Sequence, residues 1–179
     1  MKKFWHVALL FLCSFIISSC GDDKEEKLEV DEVWKAQNIE FFNNLLQDPS
    51  FEKLYSQSNA GFILYKVLEE GKSKEQIYYT SKVSLYYLGT FIDGEVFDNH
   101  TFEAGEPYRG KDGNGAMARD FIDGFATALQ YMHPGDKWEL YIPYQLGYGE
   151  EGKRITGAKD IKPYTTLHYI VEVEELMEK

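Results

Sequence analysis

Three stretches of the sequence decide the fold, and all three lie between residues 86 and 149. Residues 86–98 read YYLGTFIDGEVFD, residues 121–125 read FIDGF, and residues 142–149 read IPYQLGYG. The first stretch contains Asp93-Gly94, a dipeptide typical of hairpin turns. An alternating apolar segment ends before this turn, and a short strand at 95–97 follows it. The first stretch therefore predicts two antiparallel strands joined by a tight turn.

The same period of two recurs on both sides of this hairpin. Residues 62–67, 138–142 and 167–173 each divide into two interleaved sets with a period of two, and in 167–173 one set, Leu167, Tyr169, Val171 and Val173, shares one face, as in a strand. Residues 121–132 instead place their apolar side chains at helical spacing, and His133-Pro134-Gly135 is a strong stop. Strands around a single short helix predict an α+β domain, with a mostly antiparallel sheet wrapped around that helix.

The preceding residues predict an N-terminal helical extension, for which we take residues 33–61, before a domain at 62–179. Residues 33–47 have a partial three-to-four spacing of large apolar groups, and Pro49 ends that helix. A short second turn is expected at 50–55. We expect this extension to pack on its own domain, although pairing with a second copy is the alternative and the oligomeric state is not predicted.

The first 32 residues look like a targeting segment and a spacer. Two lysines precede an apolar run at 7–17, and Ile17-Ser18-Ser19-Cys20 follows. This order resembles a bacterial lipobox, which implies removal of residues 1–19 and acylation of Cys20. An ordinary secretory signal with an incidental cysteine is the alternative. Residues 20–32 then form an acidic tether, and the protein is expected at the cell envelope, lipid-anchored to the outer membrane on its periplasmic or outer side.

Charge and motifs exclude several classes of function. The formal net charge is −11, so the phosphate backbone of a nucleic acid is an unfavourable partner. The sequence has no P-loop, no H-E-x-x-H and no G-x-S-x-G motif, and His100, His133 and His168 are scattered. We therefore predict no metal site and no cofactor.

The order of the three stretches carries a more specific signal. Together with His133-Pro134-Gly135-Asp136 and the run Ile161-Lys162-Pro163, they resemble the FKBP family of peptidyl-prolyl cis-trans isomerases over roughly residues 80–176. That resemblance implies an FKBP-like fold. It also implies that the protein isomerises X–Pro bonds of exported polypeptides in an aromatic pocket.

The resemblance also supplies site residues by position. The expected catalytic residues are Tyr87, Phe97, Asp98, Ile122 and Tyr148, and the expected substrate-binding residues are Phe121, Phe125, Ile161 and Tyr169. In this assignment the Tyr148 hydroxyl and the Ile122 backbone N–H donate to the substrate, and Asp98 lies near its carbonyl. A dry pocket suits this reaction, because the twisted amide of the transition state is less polarised than the planar one.

The sequence also departs from the family pattern. Phe125 stands where the family usually has tryptophan, which predicts a smaller floor and a gain in activity from Phe125→Trp if the site has room. Lys162 replaces the first proline of a proline pair, and Asp160 stands where an apolar residue is common. Residues 102–119 do not follow the pattern, and Tyr108 is the candidate for their pocket aromatic.

Two rival interpretations remain open from the sequence. The first is a non-catalytic module that binds a protein or glycan, which a cavity sealed by residues 102–119 would favour. The second is assembly through the N-terminal helix, with the domain as a spacer.

Overall fold

The computed structural model describes residues 27–155 and 159–178. Two α-helices and seven strands follow one another in the order α1 (Glu32–Leu45), β1 (Glu52–Tyr55), β2 (Phe62–Glu69), β3 (Lys82–Thr90), β4 (Val96–His100), β5 (Ala116–Met117), α2 (Asp123–Leu129), β6 (Lys137–Ile142) and β7 (Leu167–Glu178). Short 3₁₀ turns occupy 102–104, 118–120 and 144–146. The predicted α+β class is confirmed.

All strand pairs are antiparallel and form one sheet in the order β1-β2-β6-β7-β3-β4, with β5 paired to the start of β3. The last strand, β7, is central: its first half pairs with β6 on one side and β3 on the other. Leu167, Tyr169, Val171 and Val173 all point into the core, as their alternation predicts.

Helix α2 packs against one face of this sheet, and all of its residues after Asp123 are buried. A Cβ on Gly124 would lie 2.4 Å from Ile142 Cγ2, so the helix can approach the sheet this closely only with glycine there. The predicted start of the helix is wrong by two residues. Phe121 and Ile122 have extended backbone, and the first helical residue is Asp123, whose carboxylate accepts a 2.7 Å hydrogen bond from Ser56 Oγ.

Helix α1 packs on the domain, in agreement with the expected intramolecular packing. Asp31 caps it by accepting a hydrogen bond from the Trp34 N–H at 3.0 Å. Asn38 is fully buried, and its Oδ1 accepts from the Thr166 N–H at 2.8 Å. The Trp34 indole N–H donates to Thr165 Oγ1 at 2.8 Å. These bonds join α1 to the segment that leads into β7.

The expected helical turn at 50–55 is wrong, because residues 52–55 form strand β1. Leu54 pairs with Ile63 and Tyr55 with Phe62, so the free edge of β2 gives this segment a partner. Pairing with an existing strand decides the local structure here, since four residues carry little intrinsic preference of their own.

The predicted signal peptide, the lipidated Cys20 and the first part of the tether lie outside the described residues. Within the described ranges, we find no helix with the length and apolar character needed to span a bilayer.

Candidate active site

A cavity of about 320 Å³ opens between the concave face of the sheet and the start of α2, and we call it the aromatic cavity. Its walls come from β3, β4, β7, α2 and the loops at 108, 120 and 148. It is lined by Tyr87, Asp98, Tyr108, Asp120, Phe121, Ile122, Phe125, Tyr148, Lys153 and Tyr169. Six of these ten residues are aromatic, and their rings share the wall with the tyrosine hydroxyls, two carboxylates and one ammonium group.

The floor of the aromatic cavity is a cluster of rings in close contact. Phe125 is only 1% exposed, and its ring stacks on Phe121 with centroids 4.5 Å apart and planes 13° apart. Tyr169 meets Phe125 edge-on at 5.0 Å, and Tyr87 does so at 5.7 Å. Each of these rings therefore constrains the position of its neighbours.

Asp98 brings a carboxylate to the mouth of this apolar cavity. The Tyr87 hydroxyl donates to Asp98 Oδ2 at 3.0 Å, and His100 Nε2 lies 3.4 Å from Oδ1. The Asp98 side chain is 42% exposed, so the mouth is open to solvent. Burial raises the pKa of the Tyr87 phenol far above its usual range, and the negative charge of Asp98 adds to this effect. Tyr87 therefore stays protonated and holds the carboxylate in place.

A glycine makes this arrangement possible. Gly89 pairs with Asp98 across β3 and β4. A Cβ at position 89 would lie 2.6 Å from the Phe97 ring and 2.9 Å from the Tyr169 ring. Phe97 can cross over the strand toward Tyr169, with ring centroids 5.4 Å apart, only because this position has no side chain.

Tyr148 supplies a hydroxyl on another side of the cavity. Its side chain is half-buried, and burial raises the pKa of its phenol, with a smaller contribution from Asp98. The loop is held by hydrogen bonds from Gly149 N to Tyr144 O (2.8 Å) and from Gly152 N to Tyr148 O (3.0 Å). Among residues 27–155 and 159–178 the hydroxyl has no hydrogen-bond partner, so it is available to a ligand.

Ile122 contributes its backbone to the same space. It is the N-cap residue of α2, with φ −59° and ψ 152°, and its carbonyl accepts from Ala126 N at 2.9 Å. The extended conformation turns its own N–H out of the helical ladder. Within the described part of the chain, this N–H donates to no backbone carbonyl. It is a second donor available at the cavity.

Seven of the nine expected site residues line the cavity, and the other two support it from behind. Phe97 packs between Tyr169 and Phe91, at 5.4 Å and 5.0 Å. Ile161 is 1% exposed and exchanges two backbone hydrogen bonds with Lys153, at 2.7 and 2.8 Å. The geometry therefore gives these two a supporting position.

The structure also adds residues to the site. Tyr108, the uncertain candidate, does line the cavity, because it exchanges two backbone hydrogen bonds with Leu85 of β3. Asp120 and Lys153 were not expected from the sequence. The only sequence signal for Asp120 is its position directly before Phe121. Lys153 sits in a loop with no repeating pattern.

Across residues 27–155 and 159–178, no group of three or more His, Cys, Asp or Glu side chains is placed to hold a metal ion. The cavity thus offers an aromatic floor, the carboxylates of Asp98 and Asp120, the Lys153 ammonium, and two hydrogen-bond donors from Tyr148 and Ile122. The protein is therefore a small α+β domain with a mixed aromatic and polar pocket between its antiparallel sheet and its short helix.

Comparison with known proteins identifies the family to which the chain belongs. The sequence model of the family described as FKBP-type peptidyl-prolyl cis-trans isomerase matches residues 73–174, and the chain belongs to that family.

Individual relatives agree with this assignment. The chain is 42% identical over 98 residues to the FKBP-type 22 kDa peptidyl-prolyl cis-trans isomerase of Escherichia coli K12, covering 55% of this chain and 42% of that protein. It is 35% identical over 85 residues to the outer membrane protein MIP of Legionella longbeachae, covering 48% and 33%. The crystal structure of FkpA from Escherichia coli superimposes with a TM-score of 0.64 at 27% identity, covering 82% of this chain and 61% of that one. The chain spans half or less of the length of these two sequence relatives.

Proposed function

We propose that this protein is a peptidyl-prolyl cis-trans isomerase that acts on X–Pro bonds of polypeptides in the aromatic cavity. The observation that carries the proposal is the contrast between the floor and the rim. The floor of Phe125, Tyr169 and Tyr87 is a cluster of rings in contact. Around it lie the carboxylates of Asp98 and Asp120, the Lys153 ammonium, and the Tyr148 hydroxyl and Ile122 N–H as donors.

The floor accounts for binding of the proline ring. Proline has no N–H and presents a compact apolar face, so it fits a dry aromatic surface without leaving a donor unpaired. An apolar residue before the proline fits the same surroundings, since Tyr108 and Phe121 extend the aromatic wall.

The chemical step requires rotation about the C–N bond, which has a barrier of about 18–20 kcal/mol because amide resonance is lost. The twisted amide has a less polarised carbonyl and a more basic nitrogen. Moving the planar amide out of water into an apolar cavity disfavours the ground state more than the twisted state. No nucleophile and no covalent intermediate are needed.

The rim then holds the chain while it rotates. The Tyr148 hydroxyl and the Ile122 N–H donate to substrate carbonyls and fix one side of the peptide. The Asp98 carboxylate lies where the carbonyl carbon turns away from its planar position. Its charge interacts favourably with the carbon end of that dipole.

Supporting features for location come from the N-terminal sequence. We further propose that Cys20 carries lipid, that residues 20–32 form a tether, and that the clients are exported proteins at the cell envelope. The basic residues, apolar run and cysteine at positions 2–20 support this, as does the likeness to a relative named an outer membrane protein.

An isomerisation assay tests the activity. The full chain carrying Cys20→Ser, which avoids lipid, is mixed with peptides that contain one Leu–Pro bond, and cis–trans exchange is followed by NMR. We expect acceleration that Tyr148→Phe lowers and that Tyr144→Phe leaves unchanged, because Tyr144 packs on Tyr164 outside the cavity. If no X–Pro peptide isomerises faster than the uncatalysed background, the proposal fails. The non-catalytic binding module then takes its place.

The open mouth of the cavity argues against that rival. A seal formed by residues 102–119 would favour binding without turnover. This segment instead contributes one ring, Tyr108, to the wall, and leaves Asp98 solvent-exposed at the mouth.

A further inference from the structure

A second, larger cavity opens beside the aromatic cavity, and we call it the side cavity. It has a volume of about 560 Å³ and lies between the loop at 110–115, strand β5 and the start of β3. Tyr108, Asp120 and Phe121 line both cavities. Since Phe121 stacks on the floor residue Phe125 at 4.5 Å, one continuous surface runs from the floor into the side cavity.

Hydrogen bonds fix the walls of the side cavity. Gly115 N donates to Arg109 O at 2.8 Å, which closes the loop on itself. Tyr108 and Leu85 exchange backbone hydrogen bonds of 2.8 and 3.1 Å, and β5 pairs with β3. Gly115 has φ +109°, and a Cβ there would lie 2.7 Å from Lys82 Cβ, so the loop and the strand are in direct contact. The side cavity is therefore a formed depression.

The lining of the side cavity combines an apolar wall with one available cation. Ala116 and Met117 supply apolar surface. The Lys82 ammonium is already paired with Glu178 at 2.6 Å. Lys111 is exposed, and no carboxylate of the described ranges lies within ion-pair distance of it.

The two carboxylates of the side cavity are placed differently. Asp112 Oδ1 accepts a 3.0 Å hydrogen bond from the Asn114 N–H, so this group is engaged within its own loop. Asp120 stands on the wall shared with the aromatic cavity, next to Arg119 at 4.0 Å. A negative charge on a ligand is therefore better placed beyond this wall, near Lys111, than on it.

We propose that the side cavity is a binding site for the substrate residues that flank the proline on one side, with preference for an apolar residue followed by an acidic one. This inference rests on the proposed function. A polypeptide whose proline lies on Phe125 continues on both sides of the proline. On one side, the wall shared by the two cavities places the next residues in the side cavity. The apolar residue then contacts Met117 and the carboxylate approaches Lys111.

The test compares short and extended peptides with the same Leu–Pro core. In the short set, each peptide ends two residues from the proline. A second set is extended by four residues on the N-terminal side, and a third by four residues on the C-terminal side. Each extended peptide is made in two versions, with Glu or Lys at one position of the extension. We expect extension on one side to raise kcat/KM about three- to ten-fold in the full chain. Glu should be preferred over Lys by about two- to five-fold, the size of an exposed ion pair.

Two variants connect this gain to the side cavity. Lys111→Glu should reverse the preference between Glu and Lys, whereas the matched control Lys74→Glu, an exposed lysine away from both cavities, should keep it. Met117→Trp should remove the gain from extension while the short peptide is processed as before. If it unfolds the protein, Lys111→Glu alone decides, because that side chain is exposed.

The outcomes separate this proposal from the proposed function. If short and extended peptides are isomerised equally well, the side cavity is not a subsite although the protein is an isomerase. An unchanged charge preference in Lys111→Glu also overturns the proposal. If no peptide is isomerised, the proposed function fails. In that case, fluorescence titration measures binding of the extended peptides to the side cavity independently of catalysis. The proposal is supported if the Glu peptide binds more tightly than the Lys peptide and Lys111→Glu abolishes this difference. It is overturned if the two peptides bind equally well.

Discussion

Phe121 and Phe125 pack directly on each other in the floor of the aromatic cavity. Making one side chain smaller and the other larger tests whether their packing is coupled. The resemblance described above implies tryptophan at position 125, whereas this chain has phenylalanine at both positions. Phe125 is 1% exposed and lies 4.5 Å from Phe121, 5.0 Å from Tyr169 and 5.7 Å from Tyr87. Three of the neighbours of Phe125 are therefore rings already in contact with it, and a larger side chain at this position must displace a ring or extend into the aromatic cavity.

The structure gives the expected magnitudes. Phe125→Trp alone forces extra volume into a filled site and should destabilise the protein by about 1–3 kcal/mol. Phe121→Val alone removes a half-buried ring and should cost about 1–2 kcal/mol. In the double variant the smaller valine makes space for the indole. The two costs should then cancel in part, with a coupling free energy of about 1–2 kcal/mol.

Urea unfolding of the four proteins, followed by circular dichroism, measures this coupling directly. Heat unfolding gives a second measure, since about 1 kcal/mol shifts the midpoint of a protein of this size by about 2–4 °C. The isomerisation assay should rank the double variant above Phe125→Trp. Additive costs, within about 0.5 kcal/mol, would contradict the view that the two rings share one fixed volume.

Three other predictions use the same assays. Asp98→Asn should lower kcat/KM about ten-fold, because the charge at the mouth of the aromatic cavity is lost. The urea midpoint should remain nearly unchanged, because this side chain is 42% exposed. A variant that fails to fold would refute the role of Asp98 at the site. Asn38→Ala should destabilise the protein by about 1–3 kcal/mol, since the Thr166 N–H loses a buried acceptor; the exposed neighbour Gln37→Ala is the control, and equal unfolding midpoints would contradict the prediction. Cys20→Ser should move the protein from the membrane fraction to the soluble fraction, and unchanged partitioning would count against the lipobox.

Much of the sheet could be predicted from the sequence, because each long strand has one face in the core. Residues 167–173 alternate strictly, and the structure buries the predicted face. Strand β1 could not be predicted in this way. Its four residues are mostly exposed, and only the free edge of β2 makes them a strand. Edge strands of this length carry almost no periodic signal.

The residues of the candidate site also differ in whether the sequence could predict them. Tyr87, Asp98 and Tyr148 could be located because short motifs fix their neighbours. The adjustment between Phe121 and Phe125 could not, because it depends on a distance between side chains that no spacing rule contains. Asp120 and Lys153 were missed because loops place them, and loop conformation follows from contacts that are distant in sequence.

The position of β7 in the sheet has a consequence for how the protein is made. The strand at the centre of the sheet is synthesised after the strands that it joins, and without it β2 and β6 on one side have no connection to β3 and β4 on the other. The Asn38 Nδ2 has a partner within α1, the Trp34 carbonyl, but its Oδ1 accepts from the Thr166 N–H, 128 residues later in the chain. Neither half-sheet can complete the shared core alone, so we expect cooperative closure of the sheet only after β7 has been synthesised.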